Sequence, residues 1–397
     1  MSVNRPVAAA AAAALLALLT ACGDDGGGDE PKATRSAAAS AGAVDLSGVC
    51  PEKIVVQGQW LPNTSSEGPM YSLLGPNPSI DADKDRVTAP LTAGGKDTGV
   101  DLEIRAGGPA IGFQQVSAQM YTDKSITLGI LGGFDEAIQL SKTQPTLAVL
   151  AMLEKDPQMI FWDPKTHPEF TSIADIGKTD TTVLYFDGDT YMDYLVGAGV
   201  LKKSQVDGSN DGSPARFVTE RGKIASGGYA VEDPYTYEKE VDEWGKPVRF
   251  QLLYDAGYPN YGPPLSIRPD DREKLAPCLK KLIPVVQQAQ LDFLANPGPT
   301  IDATVKISEA YASDDIFTKE IGEYSAAQLK KLGIAANDAE GKDSTTGNFD
   351  EARVQKMIEL TEPVFAAQKK PVKPGLKPSD LVTDEFIDPE IGFPGGS

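Results

Sequence analysis

Apolar positions along this chain switch between two rhythms. Short apolar runs recur at 53–60, 100–105, 126–130, 147–153, 159–162, 182–186 and 248–254, each bounded by Gly, Pro or Asp. Runs of that length and boundary read as strands. Between them lie segments with apolar residues three and four apart, the mark of a helix that buries one face. A short helix follows Pro69 with Tyr71, Leu73 and Leu74, and another spans 113–121 with Phe113, Val116 and Met120 on one stripe. Further helices start at Phe134-Asp135-Glu136, at 172–177, and at 190–199, where Tyr191, Tyr194, Leu195 and Ala198 share a face. After residue 272 the strand signal stops. Helices are predicted at 272–293, 300–311, 316–332 and 350–367, and the Pro-rich tail from Lys369 reads as a strap. The Pro- and Asp-rich stretch 75–95 reads as an insertion.

Strands that alternate with helices predict a parallel sheet covered on both faces. The alternation occurs once before about residue 180 and once after it, so two α/β lobes are expected. Open sheets of this kind bind ligands beyond the carboxyl ends of their strands, where helices begin and backbone N–H groups are exposed. The turns at 60–68, 107–112, 132–136 and 186–191 are glycine-rich or small and polar, and Gly227-Gly228-Tyr229 with Glu232, Tyr235 and Tyr237 is a fifth candidate.

The N-terminus changes the picture of where this fold works. Arg5 precedes an apolar stretch from Val7 to Leu19, too short to span a bilayer, and Leu19-Thr20-Ala21-Cys22 closes it. That tetrapeptide resembles a bacterial lipobox. Residues 1–21 are therefore read as a lipoprotein signal peptide, Cys22 as the lipidated residue, and 22–47 as a disordered tether rich in Gly, Ala, Ser and charge. The protein is expected outside the cytoplasm, anchored by lipid to the outer face of the bacterial cytoplasmic membrane. Cys50 and Cys278 are the other two cysteines, and in an oxidising compartment the pair reads as a disulfide. Cys278 also lies on the apolar side of a helical pattern, where a buried thiol fits equally.

Charge and composition exclude more than they assign. With 57 Asp plus Glu against 37 Lys plus Arg the surface repels nucleic acid. The single histidine, His167, sits in Pro164-Lys165-Thr166-His167-Pro168 and reads as a solvated loop residue, which leaves no histidine for a Ser-His-Asp triad or a two-histidine zinc site. No Gly-x-Ser-x-Gly elbow or phosphate-binding loop occurs, so ATP hydrolysis would fall to a partner chain. Asp81, Asp83 and Asp85, and Asp207 to Gly212, imitate calcium loops but lack the closing glutamate. No metal, cofactor or enzymatic activity is expected. The rival readings are a sensory or adhesive lipoprotein that binds a protein, and a hydrolase built on paired carboxylates.

An ordered set of segments resembles a known family. These are Val49-Cys50-Pro51 with 55–60, the run from Gly107-Gly108-Pro109 to Gln114, Phe134-Asp135-Glu136-Ala137, Pro157-Gln158-Met159-Ile160, 183–186, 204–213 and Glu232-Asp233-Pro234-Tyr235. Together they are similar to the solute-binding lipoproteins of ABC importers, in the nitrate/sulfonate/taurine and thiamine-precursor-like group. The resemblance implies a type II periplasmic binding protein: two Rossmann-like lobes joined by two crossing segments, with the C-terminal helices on lobe one. Lobe one is expected at 48–180 plus 264–390 and lobe two at 181–263. A monomer is implied that traps a small molecule (a sulfonate, nitrogen compound or heterocycle), closes on it, and delivers it to a permease with a separate ATPase subunit. The candidate contacts are Trp60, Ser66, Asp135, Asp189, Tyr191, Glu232 and Tyr235. One departure stands out. Members of the group carry an acidic residue before the Trp and Glu-His-Gly at the first helix, whereas this chain has Gln59 and, after a one-residue insertion, Ser66-Glu67-Gly68.

Overall fold

A computed structural model describes residues 44–312, 317–339 and 341–394. The signal sequence, Cys22 and nearly all of the tether lie outside the described residues. The described chain is built on two sheets, with twelve strands in chain order. The strands are β1 Lys53–Gln57, β2 Ser79–Asp81, β3 Arg86–Ala93, β4 Lys96–Arg105, β5 Leu128–Ile130 and β6 Leu147–Ala151. They continue as β7 Gln158–Trp162, β8 Val183–Leu184, β9 Val206–Asp207, β10 Ala225–Tyr229, β11 Arg249–Leu252 and β12 Pro264–Ile267. One sheet has the order β2-β3-β4-β1-β5-β12-β6 and the other β11-β7-β10-β8-β9.

The apolar runs form the sheet centres because helices cover both faces there. Ile54, Val56, Leu102, Ile104, Leu128 and Ile130 are fully buried, as are Met159, Ile160 and Trp162 in the second sheet. The insertion at 75–95 is itself largely strand. It supplies β2 and β3, and β3 pairs antiparallel with β4 over most of its length. Its polar residues alternate with Val87, Ala89 and Leu91, a period of two that turns one face to the core.

Neither sheet is purely parallel. β12 runs antiparallel to β5 and β6, and β7 antiparallel to β10 and β11. Both are strands the chain enters immediately after crossing between sheets, so they run against their neighbours. The crossings lie between Ala151 and Gln158 and between Leu252 and Pro264. β7, which a division at residue 180 would assign to the first lobe, therefore pairs in the second sheet. A short apolar strand carries no mark of which sheet it will join.

Past residue 272 the chain is helical, in Arg272–Ala295, Gly298–Tyr311, Lys319–Lys331 and Glu351–Ala367. These helices reach further than one lobe. Ile301, Phe317, Ala326 and Leu329 join a core with Phe161, Phe217 and Tyr237 of the second sheet's layer. The helix Glu351–Ala367 shares a core through Val354, Met357, Ile358 and Phe365 with Phe134 and Ile138 of the first body and Tyr191, Met192 and Leu195 of the second. The tail returns as a strap: Ala148 N–H donates to Leu381 O, and Thr383 N–H to Ala148 O. Cys50 and Cys278 form a disulfide that ties the start of β1 to the long helix. His167 is not solvated; its ring stacks on Phe170 at 4.5 Å, and its Nε2 meets Lys223 O at 3.1 Å.

Candidate functional site

A cleft of about 280 Å³ opens between the two sheets, near the lower end of the roughly 300–1,000 Å³ common for small-molecule sites. The carboxyl ends of β1, β4 and β5 deliver Gln59, Trp60, Gly108, Phe113, Gly133 and Asp135 to one wall. The ends of β8 and β10 deliver Gly188, Asp189, Tyr191 and Tyr229 to the other. Because β7 is antiparallel, its amino end meets those carboxyl ends, and it brings Asp156 and Gln158.

Backbone packing sets each of these groups. Glu67 is fully buried and accepts the Gln59 N–H at 2.9 Å, with the Trp60 N–H a second donor to the same carboxyl. Burial pushes that carboxyl up to about 8. Gly58 permits this approach, since a Cβ there would lie 2.8 Å from Glu67 Oε1. Gly108, with φ +54°, lies under the Trp60 ring, where a Cβ would come within 2.6 Å of it. Phe113 also has a positive φ, 57°, and its ring stands 5.9 Å from that of Trp60.

Three aspartates share the cleft. Asp135 accepts from Tyr258 Oη at 2.8 Å and from Asn260 Nδ2 at 3.2 Å. The same Nδ2 donates to Asp156 Oδ2 at 2.9 Å. Asp156 also caps β7 by accepting the Gln158 N–H at 2.9 Å. Asp189 bonds the Tyr191 hydroxyl. Burial raises all three carboxyls, Asp156 to about 8 and Asp189 to about 7, and their mutual repulsion adds to the rise of Asp156 and Asp189. Glu136 completes the floor, accepting Ser117 N–H and Oγ and the Gly132 N–H. No Lys, Arg or His lines the cleft among the described residues.

Of the residues singled out by sequence, the structure gathers Trp60, Asp135, Asp189 and Tyr191 in this cleft. Ser66 lies elsewhere, buried on a separate cavity of about 20 Å³ that Phe293 and Leu294 also line. The turn Ser66-Glu67-Gly68 thus faces inward, with Glu67 bonded beneath the Trp60 loop. Glu232 precedes the short helix Asp233–Tyr235 and does not line the cleft; Tyr229 occupies that wall instead. Tyr235 points to the C-terminal helices, its ring 5.5 Å from that of Tyr324. Asp156, Gln158 and Phe113 were not foreseen at the cleft, and Tyr229 was named only within the candidate turn Gly227-Gly228-Tyr229. Asp156 and Asn260 sit in the two crossing segments, and the Asp156-Pro157 pair before an apolar run was the available signal. Phe113 was placed on a helical stripe, yet the helix begins at Val116 and the Phe113 ring is 71% exposed.

No protein-family profile matches the chain, and no curated protein matches it in sequence. Solved structures do. The periplasmic aliphatic sulphonate binding protein SsuA of Escherichia coli superposes with a TM-score of 0.51 at 13% identity, over 88% of this chain and 96% of that one. The ligand-binding component of an ABC-type import system from Staphylococcus aureus, solved with zinc bound, superposes with a TM-score of 0.50 at 11% identity, over 85% and 98%. The likeness is one of fold: this chain has the two-sheet α/β architecture of the type II periplasmic binding proteins.

Proposed function

We propose that this protein is an extracytoplasmic solute receptor that captures a small organic molecule and hands it to an ABC permease. The observation that carries the reading is the cleft itself. Its two walls belong to two separate sheets, and two crossing segments carry the chain between the strands of those sheets. A ligand touching both walls binds the closed arrangement better than the open one and shifts the population toward it. The work is binding and not bond-breaking. The lobes are taken as the two sheets with their covering helices, and Cys22 as the lipid attachment that holds a monomer at the membrane. The permease and its ATPase are separate chains.

Native mass spectrometry of the purified protein, followed by small-angle scattering with and without the molecule found, tests this. A stoichiometric small molecule and a smaller radius of gyration in its presence are expected. A chain that carries nothing, and whose dimensions no small molecule alters, would refute the proposal.

A further inference from the structure

We infer that the solute is a small organic cation, an amine or quaternary ammonium held by the three aspartates and flanked by aromatic rings. This rests on the receptor reading and narrows it to one class of ligand. Every donor that reaches Asp135, Asp156 and Asp189 is neutral. They are Tyr258 Oη, Asn260 Nδ2, the Gln158 N–H, the Tyr191 and Thr190 hydroxyls, and the backbone at Asp135 and Phe186. Asn260 is stretched across two of the carboxylates, and its buried Oδ1, beside that shared nitrogen, has no partner. Buried charge is ordinarily paired. Here no Lys, Arg or His lines the cleft among the described residues, so on its own the site keeps its carboxyls raised and partly protonated, and a bound cation would favour their ionised form.

The aromatic residues are an independent observation. Among the described residues the exposed large apolar side chains are Phe113 at 71%, Tyr229 at 39% and Phe186 at 37%. Phe113 and Tyr229 line opposite walls of the cleft, and Phe186 lies two residues before Gly188 on its rim. Trp60 and Tyr191 add two more rings to the cleft that holds the aspartates. A cation over the face of such a ring is attracted by its quadrupole, and more strongly when desolvated.

An anion fits this site poorly. Two helix starts on its walls carry the chain's own carboxyl groups, which would repel an anion there. Asp135 and Glu136 fill the first turn of Phe134–Gln139, and Asp189 is the N-cap residue of Thr190–Gly197. A bare metal ion fits no better: among the described residues no three His, Cys, Asp or Glu side chains stand close enough to coordinate one, whereas a larger organic cation can be shared between more widely spaced carboxyls.

The test uses pairs of small molecules that differ in charge and little else: choline with 3,3-dimethyl-1-butanol, and benzylammonium with benzyl alcohol. Ethanesulfonate, nitrate, calcium and zinc complete the set. Thermal shift at millimolar concentration, then calorimetry, gives the readout. The expected result is that a cation raises the unfolding temperature and binds at least ten-fold more tightly than its neutral twin. Asp156→Asn and Asp189→Asn should each weaken that cation at least ten-fold, while the unliganded variants unfold no lower than the parent. The inference is overturned if a neutral twin matches its cation, if an anion or metal ion binds better, or if no cation binds. A neutral molecule or anion that binds and compacts the protein leaves the receptor reading standing. Binding of nothing, with no co-purifying molecule, removes both.

Discussion

Arg353, on the helix Glu351–Ala367, holds both crossing segments at once. Its Nη1 pairs with Glu154 Oε1 at 2.6 Å and its Nη2 bonds Glu154 O at 2.6 Å on the first segment. On the second, Nε bonds Pro259 O at 2.8 Å and Nη2 bonds Asn260 O at 2.9 Å, while the guanidinium lies 3.6 Å from the Tyr261 ring. Arg353→Met keeps most of the volume and removes the fork. Asn260 O retains the Asp156 N–H, but Glu154 O and Pro259 O lose the Arg donor that reached them. At roughly 1–3 kcal/mol for each abandoned buried acceptor, plus the lost ring contact, the variant should be about 3–5 kcal/mol less stable at pH 7. The ion pair adds little at that pH. Burial has already pushed the Glu154 carboxyl up to about 7 against the pull of Arg353, so the stranded side chain simply takes up a proton. Above pH 7 the parent ionises Glu154 and the variant resists, so the deficit should grow by about 1.4 kcal/mol per pH unit toward pH 9. Urea unfolding of parent, Arg353→Met, Glu154→Gln and the double variant at pH 6, 7, 8 and 9 measures it. In the Glu154→Gln background the loss from Arg353→Met should not vary with pH. A pH-independent deficit in the native background, or one under 1 kcal/mol, would show the reasoning to be wrong.

Other predictions follow from the same groups. The carboxyls raised by burial, Glu67 and Asp156 to about 8, Asp189 to about 7, and Asp233 and Asp384 to about 6, hold protons that the unfolded chain releases near pH 4 to 4.5. Stability should therefore be greatest near pH 5 and fall as pH rises toward 8; a melting temperature that climbs over that interval contradicts this. Below about pH 4 it should fall again, as the hydrogen-bonded carboxylates Asp123 and Asp207, lowered to about 2, are protonated. Cys50 and Cys278 are 228 residues apart, so reduction or Cys50→Ser with Cys278→Ser should cost up to about 5 kcal/mol, read as a lower denaturation midpoint in dithiothreitol. Trp60→Ala should weaken solute binding at least ten-fold by calorimetry with circular dichroism unchanged, and equal affinity would remove Trp60 from the site.

The apolar runs and helical stripes of this chain were enough to predict an α/β protein with two bodies, because burial of one face leaves its period in the sequence. Trp60, Asp135, Asp189 and Tyr191 were legible for a related reason: each follows a strand in a glycine-rich or small polar turn, and such turns gather at one edge of a sheet. Local pattern says nothing of partners distant along the chain. Which sheet claims β7, the antiparallel run of β12, and the pairing of the 75–95 segment depend on hydrogen bonds between residues far apart in sequence. Asp156 and Asn260 entered the site only because the crossing segments pass behind it, where one amide nitrogen serves two carboxylates. Ser66 and Glu232 carried the right chemistry and sat beside the right turns, but Ser66 lies on a separate cavity and Glu232 at the start of a short helix. The sequence determined the elements and their exposed turns. The tertiary structure decided which turns meet, and so which side chains line the cleft between them, because those contacts join residues far apart along the chain.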